Sequence, residues 1–203
     1  VAIFSIIGTG PGAREYILPA AWEEAAGADT LLGSPRSLEH FLGLGKKALP
    51  LRGEGYREAE NYIRSHRHAE RIALLVSGDP GFHSYLSVIR RSFSPSEYRV
   101  IPGLSSLQLA FARIGLPWQE ALLLSAHGRE IPDAADRRPL FYLTDRKNGP
   151  GTIARGLMAA GMGDRTVWVL ENLSYPGEKI SRVAVAELAA REKEYARCVM
   201  IVE

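Results

Sequence analysis

Arg71-Ile-Ala-Leu-Leu-Val-Ser-Gly-Asp-Pro-Gly81 is the stretch that decides how this chain folds. Its first six residues form a nearly unbroken apolar run, the pattern of a strand covered on both faces, and Ser77-Gly-Asp-Pro-Gly81 follows at once. Asp79 and Pro80 read as the N-cap and first residue of a helix whose apolar face is Tyr85, Leu86, Val88 and Ile89. A helix start at the end of a buried strand offers unpaired backbone N–H groups and partial positive charge to a carboxylate or phosphate. Gly78 and Gly81 let a ligand approach the backbone closely. Many ordinary helices begin the same way, so the neighbouring stretches must decide between a cap and a ligand seat.

The same grammar occurs twice more. Val1 to Ile7 reads as a strand and runs into Gly8-Thr-Gly-Pro-Gly12, and Tyr98 to Ile101 runs into Pro102-Gly-Leu-Ser-Ser106 and the apolar helix Leu107 to Ile114. Alternation of strand, glycine turn and helix builds a mostly parallel sheet with helices on both faces, and all three loops should share one rim at the carboxyl ends of the strands. Between them, Pro19 opens a helix over Ala20 to Ala26, Thr30 to Leu32 is a strand, and Gly33-Ser-Pro-Arg36 is a turn before a short helix around Leu38 to Leu42. Lys46 to Leu51 reads as an edge strand, and Arg57 to Ala69 as a charged helix on which His66 and His68 face solvent.

Gly115-Leu-Pro-Trp118 interrupts this alternation. The expected organisation is therefore two α/β domains, 1–116 and 117–203, the second with a mixed sheet. Its strands are Ala121 to Ser125, Pro139 to Thr144, Thr166 to Leu170, Ser181 to Val185 and a final strand ending at Glu203; its helices are Thr152 to Ala160 and Glu187 to Glu194.

Composition excludes several function classes. The 203 residues are 46% hydrophobic and 24% charged with a net charge of +2, too mild to imply nucleic acid. No apolar run of about twenty residues and no cleavable signal is present, and the single cysteine, Cys198, sits in an apolar run. The expectation is a cytoplasmic protein with no membrane partner, its Val1 start indicating a trimmed terminus. There is no Ser-His-Asp order, no G-x-S-x-G elbow and no metal-ligand cluster. Gly8, Gly10 and Ala13 satisfy a dinucleotide fingerprint literally, but the following helix starts several residues too late and Asp29 precedes the next strand instead of following it.

Gly8-Thr-Gly-Pro-Gly12, Ser77-Gly-Asp-Pro80 and Pro102-Gly-Leu-Ser-Ser106, in that order and separation, resemble the tetrapyrrole methylases, which use S-adenosylmethionine (SAM) as methyl donor. More narrowly, Gly33-Ser-Pro-Arg36, Val76-Ser-Gly-Asp-Pro-Gly-Phe82 and Leu124-Ser-Ala-His-Gly-Arg129 resemble the branch that methylates C5 of cobalt-precorrin-7, or of precorrin-7, in cobalamin biosynthesis. The resemblance implies two α/β domains with SAM in the cleft between them, a homodimer, a tetrapyrrole substrate and a C15-methyltransferase acting in the same pathway. It implies SAM contacts at Pro11, Gly78, Asp79, Phe82, Ser105 and Ser106, with Leu143 and Leu173 in the second domain. Ser34 stands where family members acting on uroporphyrinogen carry an acidic residue, which points to another substrate.

His127 and Arg129 follow the first strand of the second domain and are the substrate-side candidates, Arg129 as a partner for a propionate or acetate of the tetrapyrrole. Arg36 is a further candidate for a substrate carboxylate, whereas His83 reads as structural. Two alternatives stay open: the same fold acting on another tetrapyrrole or on RNA, and a nucleotide-binding module without catalysis.

Overall fold

The computed structural model describes residues 3–52, 55–128, 130–131 and 136–203. They divide into two compact units, Val1–Ser105 and Ser106–Glu203. The break falls at the start of the helix after Pro102-Gly-Leu-Ser-Ser106, ahead of the Gly115 to Trp118 interruption.

The first unit is a five-stranded parallel sheet: β1 (Phe4–Gly8), β2 (Thr30–Gly33), β3 (Lys47–Pro50), β4 (Ile72–Val76) and β5 (Tyr98–Ile101). Their order is β3-β2-β4-β1-β5, with β3 at the edge as its charged, proline-ended sequence requires. Every residue of β1 and β4 is buried. Helices cover both faces. Alternate residues Phe4, Ile6, Ile72, Leu74 and Val76 meet the apolar sides of α3 (Tyr56–His66) and α4 (Leu86–Ser92). Ile7, Leu31, Ala73 and Leu75 meet α1 (Pro19–Gly27) and α2 (Pro35–Glu39) on the other side.

Two local expectations need correction. Gly33 to Arg36 is a helix start: the Ser37 N–H donates to Ser34 Oγ at 3.1 Å and Pro35 occupies the first turn, so α2 begins there. His66 is half-buried, not solvated, because its ring stacks on Tyr62 with centroids 4.0 Å apart. Next to it Tyr62 and Thr30 hydroxyls donate to Glu70 Oε2 at 2.6 and 2.7 Å, and Lys47 Nζ donates to Oε1 at 3.3 Å, tying β2, β3 and α3 together at one end of the sheet.

The second unit holds α5 (Ser106–Ile114) and a mixed sheet of β6 (Leu122–Ser125), β7 (Leu140–Leu143), β8 (Thr166–Glu171), β9 (Lys179–Ala184) and β10 (Cys198–Val202). The order is β6-β7-β10-β8-β9; only β6 and β7 are parallel. Leu140, Tyr142, Val167, Val169, Met200 and Val202 pack against α6 (Pro150–Ala159) and α7 (Val185–Ala190). No helix among the described residues is long and apolar enough to cross a membrane.

Candidate active site

Because β4, β1 and β5 are adjacent and parallel, the three glycine loops leave the sheet side by side. They meet backbone to backbone. Gly78 N–H donates to Gly10 O at 2.8 Å, and Gly10 N–H returns a bond to Gly78 O at 3.3 Å. Thr9 Oγ donates to Val76 O at 3.0 Å and fixes the first loop over the end of β4. A Cβ placed on Gly103 would lie 2.3 Å from Gly78 O and 2.8 Å from Gly8 Cα, and one on Gly8 would lie 2.6 Å from Gly103 N. Gly8 and Gly103 are glycine because the backbone of a neighbouring corner occupies the space a side chain would need.

Gly78 differs. It adopts φ 70°, and among the described residues the heavy atom near a Cβ built there is Ser105 Cα at 3.8 Å, so this residue presents a bare backbone face with room beside it. Asp79 staples the second loop to the third: Gly81 N–H donates to Oδ1 at 2.8 Å and Gly103 N–H to Oδ2 at 3.1 Å. Each carboxylate oxygen keeps a further lone pair for another donor. Pro11 is half-buried at the tip of the first loop, Phe82 is half-buried in the second with its ring edge-on to His83, and Ser105 is buried.

The helix expected to open at Asp79-Pro80 does not open there. Residues 80–85 are turns and bends, and α4 starts at Leu86. The Asp79 side chain turns back to Gly81 and across to Gly103, and His83 at φ 45° interrupts any helical path. The corner after β4 is therefore a loop tied to the first and third loops, not a helix N-terminus.

In the second unit Ser106 opens α5, Leu143 closes β7 and Leu173 is buried just past β8. Leu173 stands between two strained residues, Asn172 at φ 51° and Ser174 at φ 68°. Glu178 holds this turn: its Oε2 accepts Ser174 N–H at 2.7 Å while Arg113 Nε of α5 donates to Oε1 at 2.6 Å. Burial pulls the Glu178 pKa up, but the Arg113 and Ser174 donors outweigh it and leave the carboxyl below its ordinary range. No sequence pattern marked Glu178 in advance.

His127 follows β6 and is exposed, with Nδ1 3.2 Å from Thr144 O. A carbonyl only accepts, so Nδ1 is the donor in this contact. Arg129 lies outside the described residues. Asp145 is held below its ordinary pKa by the Gly128 and Asn148 N–H groups, both at 2.6 Å. Cys198, at the start of β10, is pushed up to about 11 by burial and stays a thiol, as expected of a core residue.

Residues 4–189 match the family model of tetrapyrrole (corrin/porphyrin) methylases. The chain belongs to this family. It is 33% identical over 190 residues to the cobalt-precorrin-7 C(5)-methyltransferase of Salmonella typhimurium, covering 93% of this chain and 94% of that protein. Among solved structures, a precorrin-6Y methylase of cobalamin biosynthesis from Archaeoglobus fulgidus superposes with a TM-score of 0.78 at 26% identity, covering 98% of this methylase and 97% of that chain. The uroporphyrin-III C-methyl transferase of Thermus thermophilus, complexed with S-adenyl homocysteine, shares the fold with a TM-score of 0.77 at 22% identity over 98% of this chain and 91% of its own.

Proposed function

We propose that this methylase transfers a methyl group from SAM to C5 of cobalt-precorrin-7, or of precorrin-7 in an aerobic host. The observation that carries the reading is the meeting of three glycine loops beside a bare backbone face at Gly78. A nucleoside with a charged sulfur suits such a surface: no side chain blocks it, and Asp79 adds a carboxylate with free lone pairs. The SAM contacts in this reading are Pro11, Gly78, Asp79, Phe82 and Ser105 of the first unit, with Ser106, Leu143 and Leu173 offered by the second. The relatives' names support the substrate, and the complexed Thermus thermophilus protein supports the cofactor.

Bound SAM supplies an already activated methyl group, so the protein need not provide a nucleophile. Its work is positioning. Fixing donor and acceptor carbon in attack geometry lowers the barrier by up to about 7–11 kcal/mol in the best intramolecular cases. Gly8, Gly103 and Asp79 serve that end by holding the loop backbones in one arrangement. His127 and Arg129 are the substrate-side residues of this reading, Arg129 as the carboxylate partner.

The reading includes a homodimer, which the family resemblance implies, and a cytoplasmic location, the expectation from the sequence; sedimentation showing only monomer would remove the dimer. The direct test of function is mass spectrometry of purified protein incubated with SAM and cobalt-precorrin-7. A gain of one methyl is expected, and an unchanged substrate overturns the reading.

A further inference from the structure

The second unit contains a cavity of about 840 Å³ at the carboxyl ends of the parallel strands β6 and β7. It lies between the first turn of α6 and the segment that leads into β10. The volume is that of a site for a sizeable small molecule. Its lining is cationic: Arg146, Arg155, Arg191, Lys193 and Arg197. Two of these are already engaged, Arg191 with Glu187 at 2.5 Å and Lys193 with the buried Glu171 at 2.9 Å. Arg146, Arg155 and Arg197 have no carboxylate partner among the described residues.

Of the acids in the same wall, Asp145 is committed to the Gly128 and Asn148 N–H groups, while Glu192 and Glu194 are exposed. At α6 no side chain caps the first turn, and Arg155 Nη1 would lie 3.6 Å from a Cβ on Gly151, so its guanidinium sits over that turn. Guanidinium forks without a carboxylate partner, Arg155 Nη2 donating to Thr152 Oγ at 3.3 Å and Arg197 lying over the Tyr175 ring, stand beside an uncapped helix start and form a surface for more than one carboxylate or phosphate group. His127, the substrate-side residue, lines the same cavity.

We propose that this cavity seats peripheral acetate and propionate carboxylates of the tetrapyrrole substrate, with Arg155 and Arg197 as principal contacts and Arg146 at the mouth. The ligand's identity rests on the function proposed above; the anion site itself rests on the cavity and its arginines. The sequence carries a further strand–glycine turn–helix corner here, Thr144 to Thr152, outside the motifs quoted for the family.

The test uses uroporphyrin III, a stable porphyrin with acetate and propionate arms, titrated by fluorescence into the wild-type chain and variants. Arg155→Ala combined with Arg197→Ala is expected to weaken binding at least about tenfold, as loss of charged hydrogen bonds requires. The exposed-site variant Arg146→Glu should weaken it in the same direction without burdening the fold. Arg90→Ala with Arg91→Ala, exposed on α4, is the charge-matched control and should change it less than about threefold. SAM affinity, measured separately, should stay unchanged in all of them. Unchanged porphyrin binding in both cavity variants, or no porphyrin binding by the wild type, overturns the proposal while methylation of cobalt-precorrin-7 leaves the function standing. Weakened binding of inorganic pyrophosphate but unchanged binding of porphyrin in the cavity variants would make this a phosphate site and equally overturn it. A chain that neither binds porphyrin nor methylates loses both readings.

Discussion

Gly103→Ala tests the loop junction with a single added carbon. That atom would sit 2.3 Å from Gly78 O and 2.8 Å from Gly8 C and Cα, against an ordinary separation of about 3.5 Å. All the obstructing atoms are backbone at the ends of β1 and β4, so no side chain can swing aside. The third loop must withdraw by roughly 1 Å, which breaks the Gly103 N–H bond to Asp79. Forcing a methyl into packed structure costs about 1–3 kcal/mol. If the loops hold SAM, the same displacement weakens its binding by about tenfold or more. Urea unfolding gives the first quantity and calorimetric titration with SAM the second. Gly43→Ala is the control, since a Cβ there meets nothing within 4 Å; it should change stability by less than about 0.5 kcal/mol and leave SAM affinity alone. A Gly103→Ala protein with both stability and SAM affinity of the wild type would refute the reasoning.

Asp79→Asn keeps the shape but turns an N–H₂ toward one of two backbone donors; SAM affinity should fall about tenfold in a protein that remains folded, and an unchanged titration would reduce Asp79 to a spectator. Glu70 is held at about 2 by the Tyr62 hydroxyl first, then by Thr30 and Lys47. Its folded pKa lies below its ordinary value near 4.5, so its contribution is complete above that pH and disappears as pH falls through about 2. Glu70→Gln should therefore lower the unfolding midpoint at pH 7 and flatten the pH dependence between those limits, and parallel curves for the two proteins would contradict this. Cys198, with its pKa near 11, should react with iodoacetamide at pH 8 far more slowly in the native protein than in urea, and equal rates would show that the thiol is not buried as described.

Much of this architecture was legible because burial leaves a plain mark on sequence. Ile72 to Val76 is apolar on both faces since helices cover both, and Pro19 announces a helix start by a fixed φ and a missing N–H. The glycine loops were legible as well, since only glycine tolerates backbone packed where a side chain would stand. Reading Asp79-Pro80 as a helix start failed because capping chemistry is local, whereas the side chain's second partner, Gly103, is 24 residues away. Glu178 was invisible for the same reason: its value lies in reaching Arg113 on another element. The arginines of the cavity were hidden differently, scattered over 146–197 and gathered only when β10 inserts between β7 and β8.

The most direct measurement is a crystal structure of the protein soaked with SAM. Adenosyl and sulfonium density lying against the bare face of Gly78, with Asp79 and Ser105 in contact, is the predicted result. SAM bound away from these three loops, or absent at saturating concentration while the loops remain ordered, would contradict the claim that they form its seat.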